Sequence, residues 1–110
     1  MTLFTKIIKG ELPADKVFEN ERIIAIKDIN PVAPVHILII SKKEIPNLQS
    51  AAVEDLPLIA EMVSIAQELS KRFGVSDNYR LLTNNGTLAG QSIFHLHFHL
   101  IGGRKLGALG

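Results

Sequence analysis

Residues 90–103 read "GQSIFHLHFHLIGG" and hold three of the chain's four histidines. His95, His97 and His99 alternate with Leu96 and Phe98. Alternation with a period of two marks a β-strand whose two faces differ. On such a strand, side chains two apart share a face and lie roughly 7 Å from one another. The imidazoles are therefore expected as a ladder on one face, with Phe94, Leu96, Phe98 and Leu100 on the other supplying core. A slip of one residue would bury the ladder and expose the aromatics, so the register is strongly specified.

The rest of the chain falls into place around this last strand, read as "SIFHLHFHLIG". Before it, "YRLLTN" reads as a strand and "NGTLAG" as a loop. Upstream lies the one clear long helix: Asp55 is placed to cap it, Pro57 is tolerated in the first turn, and Gly74 closes it. Leu56, Ile59, Ala60, Val63, Ala66, Leu69 and Phe73 recur along it at spacings of three or four, which predicts its core face. "VHILIISK" reads as a central strand after the break "NPVAP". "KVFEN" and "ERIIAIKDI" read as two strands joined at Asn20-Glu21, and "FTKIIKGE" as a short helix ending at Gly10. Helix, three strands, helix, two strands predicts an α+β fold on an antiparallel sheet of about five strands.

Composition narrows the function. At 110 residues with 46% hydrophobic content, the chain fits a single domain spanning 1–110. Cysteine is absent, which excludes disulfides, iron–sulfur clusters and thiolate zinc sites and suits a reducing cytoplasm. The opening "MTLFTKIIKGELPADK" lacks the apolar run of a signal peptide or membrane span, and the longest apolar stretch, "HILII", is strand-sized. A formal charge of +1 argues against binding nucleic acid by general attraction. Lys42-Lys43 and Arg104-Lys105 are basic pairs of the kind common on solvated surface. No membrane or nucleic-acid partner is expected.

Two unit charges about 7 Å apart repel by roughly 2.4 kcal/mol at an effective dielectric of 20. With an ordinary histidine pKa near 6.5, at least one imidazole of the ladder is then neutral at pH 7. Three uses are open to it: a partner for backbone carbonyls, a metal ligand, or a nucleophile at a phosphate. Two histidines spaced i, i+2 can share a zinc ion, with His36 or Asp28 as a further ligand, but His95 and His99 stand roughly 13 Å apart at Cα, a strained reach for one ion. For phosphate chemistry the surroundings supply donors. Gly90, Gln91 and Ser92 precede the strand, Asn84 ends the previous one, and Gly86 offers a flexible turn. No GxxxxGK[ST] motif occurs, which excludes a P-loop.

"HLHFHLI" matches the His-φ-His-φ-His-φ-φ pattern, with φ apolar, and so resembles the histidine triad (HIT) superfamily. "FTKIIKGELPA", "KDINPVAPVHILIISKKEI", "YRLLTNNG" and "GQSIFHLHFHLIGGR" are similar, in order and over nearly the whole chain, to its Hint branch of nucleotide-binding proteins. The resemblance implies hydrolysis of purine nucleoside 5′-phosphoramidates, without cofactor or metal, by a homodimer whose sheets join. It implies His97 as the nucleophile toward the α-phosphorus, His99 and Ser92 as phosphate contacts, and His95 as a support for the nucleophile. His36 is implied in proton movement toward the leaving amine. Asp28, with Ile29 beside it, is implied at the ribose; Asn84 and Gln91 at the phosphate; Phe4, Ile7 and Ile26 around the purine. The "KLGALG" tail and Ile26 depart from the aromatic residues common at those places in the branch. Hydrolysis of P–O anhydrides, or nucleotide binding without catalysis, are the alternatives.

Overall fold

The structure, a computed structural model, describes residues 1–110. Its elements are α1 (Leu3–Ile8), β1 (Lys16–Glu19), β2 (Ile23–Lys27), β3 (Val35–Ser41), α2 (Leu56–Arg72), β4 (Tyr79–Leu82) and β5 (His97–Gly102). The five strands form one antiparallel sheet in the order β1-β2-β3-β5-β4. The α+β expectation holds, with one long and one short helix. Single 3₁₀ turns at Val53–Asp55 and Thr87–Ala89 are additions to it. No helix is long and apolar enough to cross a membrane.

Both helices close on a glycine with positive φ. At the end of α1, Gly10 (φ +77°) sends its N–H to Ile7 O, and Glu11 N–H reaches Lys6 O. At the end of α2, Gly74 (φ +75°) bonds Lys71 O while Val75 N–H reaches Ser70 O. Only glycine enters that left-handed conformation without a steric cost, so Gly10 and Gly74 set where the helices stop. Asp55 departs from expectation. Its carboxylate makes no cap bond to α2 and instead accepts Ala52 N–H at 2.9 Å and Lys43 Nζ at 2.6 Å.

The central strands are apolar on both faces because each face is covered. Ile37 and Ile39 of β3, Ile23 and Ala25 of β2 and Leu100 of β5 pack under α2. Ile24, Ile26, Leu38 and Ile40 form a second cluster on the opposite face, with Phe4 of α1. The face of α2 that is buried is Met62, Ile65, Ala66, Leu69 and Ser70, with Ile59 and Phe73 half-buried beside it. The expected face is therefore rotated: Leu56, Ala60 and Val63 are exposed. The rotated face takes Met62 and Ile65 into the core, and at its edge Glu61 accepts both Arg22 (2.7 Å from Nε) and Asn20 (3.0 Å) at the β1–β2 turn.

The last strand begins later than its alternation predicts. β5 starts at His97, and residues 93–96 run irregularly because Leu96 N–H is taken by Ile45 O at 2.6 Å. His97 and His99 keep a common face opposite Ile40 and Leu38 of β3. His95 stands outside the strand and is buried, and Phe94 is exposed rather than core, so the three-rung ladder is corrected to two rungs and an inward neighbour.

Candidate active site

The polar centre lies where β3 and β5 pair on the α1 face. His97 Nδ1 is 2.6 Å from the carbonyl oxygen of His95. A carbonyl only accepts, so Nδ1 carries the proton and Nε2 of the neutral ring is a bare lone pair. Burial pushes the His97 pKa below 6.5, helped by the neighbouring His95 ring and opposed by its bond to the His95 carbonyl and by Asp28. At pH 7 the ring is therefore neutral.

His99 obeys the same logic through a different partner. Val32 N–H donates to His36 Nδ1 at 3.2 Å, so His36 carries its proton on Nε2, which lies 2.9 Å from His99 Nδ1. His99 Nδ1 accepts, leaving its own proton on Nε2. Burial, followed by the neighbouring imidazoles of His97 and His36, lowers the His99 pKa to about 4. Asp28, just after β2, has Oδ2 at 3.4 Å from His36 Nε2, while Oδ1 accepts Asn30 N–H at 2.8 Å. The carboxylate thus performs turn-capping and site duty together.

The structure brings together most of the residues singled out in the sequence. A cavity of about 540 Å³ opens between α1 and β2, lined by Phe4, Ile7, Ile26, Asp28, Ile29 and Ser92 among others. Ile26, Leu38 and His99 stand in register on three consecutive strands, and Ile26 and Leu38 both line the cavity, so its wall reaches to one strand spacing, about 5 Å, from His99. Phe4 lies edge-on to His97, ring centroids 4.9 Å apart. Ile29 is almost fully exposed at the rim, and Asn84 is half-buried beside Gly90, whose φ of +99° requires glycine. A second open cleft of about 580 Å³, near Gly74, Asp77 and Arg104, contains none of these residues.

Gln91 is a correction. Its Oε1 accepts Gly86 N–H at 2.8 Å, and its Nε2 donates to Pro46 O (2.8 Å) and Ile93 O (3.1 Å). The amide is spent on holding the loop that carries Ser92 and offers the phosphate no donor. Sequence reading also passed over Thr2, whose hydroxyl lies 2.8 Å from His95 Nδ1, the Val32 amide, and the Leu12-Pro13-Ala14 wall of the cavity. Only Thr2 left a signal, the Thr-x-x-Thr spacing of a reciprocal helix cap.

Asp28, His36 and His99 place donor atoms within 4.8 Å of one another, near enough to suggest a cation site. The Val32 amide argues otherwise: it occupies His36 Nδ1, so the proton sits on the Nε2 that a metal would need. The cluster is instead a hydrogen-bonded imidazole pair beside a carboxylate.

A HIT domain model matches residues 9–106. The chain belongs to the HIT family. It is 54% identical over 109 residues to a HIT-like protein of Chlamydia pneumoniae, covering 99% of both chains. It is 38% identical over 109 residues to the purine nucleoside phosphoramidase of Escherichia coli K12, covering 98% of this chain and 92% of that one. Among solved structures, a HIT family hydrolase from Clostridium thermocellum superposes with a TM-score of 0.93 at 45% identity, covering 98% of this chain and 95% of that one. The HIT fold accounts for why β3 and β5 pair: their register alone brings His36, His97 and His99 onto one face.

Proposed function

We propose that this HIT protein is a purine nucleoside phosphoramidase, acting in the cytoplasm with residues 1–110 as one unit. The observation that carries the reading is the bare Nε2 of His97: its ring is neutral, fixed through Nδ1, and set beside an apolar cavity rimmed by a carboxylate. A flat apolar base fits between Phe4, Ile7 and Ile26, and Asp28 accepts from the ribose hydroxyls. His97 Nε2 attacks the α-phosphorus, the P–N bond to the amine breaks, and a nucleotidyl-imidazole forms. As the amine leaves it takes a proton from solvent beside His99, whose ring His36 orients through its Nε2–H, and the water of the next step returns one proton to solvent. Water then attacks the same phosphorus, the P–Nε2 bond breaks, and a nucleoside monophosphate departs. Ser92, Asn84 and His99 Nε2–H offer donors to the phosphoryl oxygens, where negative charge builds. The E. coli relative bearing the phosphoramidase name supports the amide over an anhydride as the scissile bond.

The test is a fluorogenic adenosine 5′-phosphoramidate. Wild type turns it over, and chelator leaves the rate unchanged. His97→Ala lowers turnover by at least about a thousandfold while AMP affinity stays within about threefold. Undiminished turnover by His97→Ala, or preference for a dinucleoside polyphosphate, overturns the reading. We further propose that the molecule is a homodimer, joined through the β4 edge and the exposed flank of α2.

A further inference from the structure

Residue 95 precedes β5, so no ladder of strand hydrogen bonds fixes its position. Its carbonyl nevertheless receives the His97 Nδ1–H that leaves Nε2 bare. Leu96 N–H, in the same peptide unit as that carbonyl, bonds Ile45 O at 2.6 Å. The second anchor of residue 95 is its own ring, which is 1% exposed and bonded at both nitrogens. His95 Nε2 lies 2.6 Å from Ser41 O, a pure acceptor, so Nε2 carries the proton. Nδ1 is then a lone pair, and the group facing it at 2.8 Å is the Thr2 hydroxyl. Thr2 Oγ1 accepts Thr5 N–H at 3.2 Å and also lies 3.2 Å from Thr5 Oγ1, which gives its own proton to Glu44 Oε1. The shorter 2.8 Å contact assigns the Thr2 proton to His95 Nδ1.

We propose that Thr2 is a positioning residue for the nucleophile, acting through the His95 ring on the carbonyl that orients His97. The inference rests on the reading of His97 as nucleophile. Thr2 is the N-cap of α1, and the same helix brings Phe4 edge-on to both His95 (5.9 Å) and His97 (4.9 Å). A helix cap normally serves only its own helix. Here one hydroxyl ends α1 and also completes the hydrogen bonding of a buried imidazole, whose Nδ1 would otherwise have no partner.

Three variants separate positioning from capping. Thr2→Val keeps the shape and removes the hydroxyl; Thr2→Ser restores it. Thr5→Ala removes the hydroxyl that receives Thr2 N–H, the other half of the cap, and leaves the Thr2–His95 bond. Thr2→Val is expected to lower kcat on the phosphoramidate about tenfold with KM within about twofold, and Thr2→Ser and Thr5→Ala to stay within about twofold of wild type. Proton NMR supplies a readout without substrate. The His97 Nδ1–H resonance should be slow to exchange in wild type, Thr2→Ser and Thr5→Ala, and broadened by exchange in Thr2→Val. A Thr2→Val protein with wild-type kcat and a sharp resonance overturns the inference. So does a Thr5→Ala protein as impaired as Thr2→Val, or an effect of Thr2→Val confined to KM, because each marks a helix-end role alone. If wild type hydrolyses no phosphoramidate, the functional reading falls and the resonance still decides whether Thr2 orders the ring.

Discussion

At the scale of single residues, the site is organised by which nitrogen of each imidazole holds the proton. Alternation in the sequence placed His97 and His99 on one face, and mutual repulsion required a neutral ring among them. Burial proves the larger cause, ahead of the neighbouring imidazoles. The tautomers were not legible, because they depend on carbonyls and amides (His95 O, Ser41 O, Val32 N–H) that only the fold brings to the rings. The same holds for Gln91, whose three loop partners are invisible in the string. A pH consequence follows. The unfolded chain binds protons at histidine near pH 6.5, whereas folded His99 holds off to about 4, so its contribution to stability is intact above 6.5 and drains as pH falls between those values. Glu19, Asp55 and Glu61 have lowered carboxyl pKa values, so their ion pairs give way only below about 4.5. Urea midpoints should therefore drop between pH 6.5 and 4.5, and His99→Asn should flatten that slope. Equal slopes in both proteins would remove His99 from the linkage.

At the scale of elements, α2 shows how a correct segment can carry an incorrect face. Its bounds were legible because Pro57 and Gly74 punctuate it. Its apolar positions are numerous enough to define two overlapping stripes, and spacing alone does not choose between them. The choice is made by what the sheet can bury: Met62, Ile65, Ala66 and Leu69 join the core, while Glu61 with Arg22 and Asn20, and Arg72 with the Val17 carbonyl, fasten the edge of that face. Met62 is turned inward to 1% exposure and Leu56 is left at 53%. Met62→Ala should cost about 2–5 kcal/mol, since it empties core, and Leu56→Ala less than about 1 kcal/mol. Chemical denaturation of the two variants checks this. Comparable losses would restore the stripe read from the sequence. Strand β5 teaches the same lesson, since its alternation continues back through His95 while its hydrogen-bonded ladder stops at His97.

At the scale of the whole molecule, the sheet divides the labour between its two faces. α2 covers one face, and α1 with the cavity occupies the other. Glu61 and Arg72 fix the β1 side of α2, so the opposite flank, with exposed Val63, turns toward the β4 edge. β4 is paired on one side only, by β5, and Tyr79 on it is exposed. An unpaired strand edge beside an apolar helix flank suits a second copy of the same surface, since a two-fold axis there extends the sheet and buries both flanks. Such a pairing leaves the α1 face open, so substrate reaches both cavities without separating the subunits. The proposed homodimer therefore predicts that light scattering finds twice the chain mass at micromolar concentration. Val63→Glu, which sets like charges against each other across the axis, should shift the protein to the mass of one chain without unfolding it. A wild type that already travels as a monomer, or a Val63→Glu protein that keeps the doubled mass, would place the subunit contact elsewhere or abolish it.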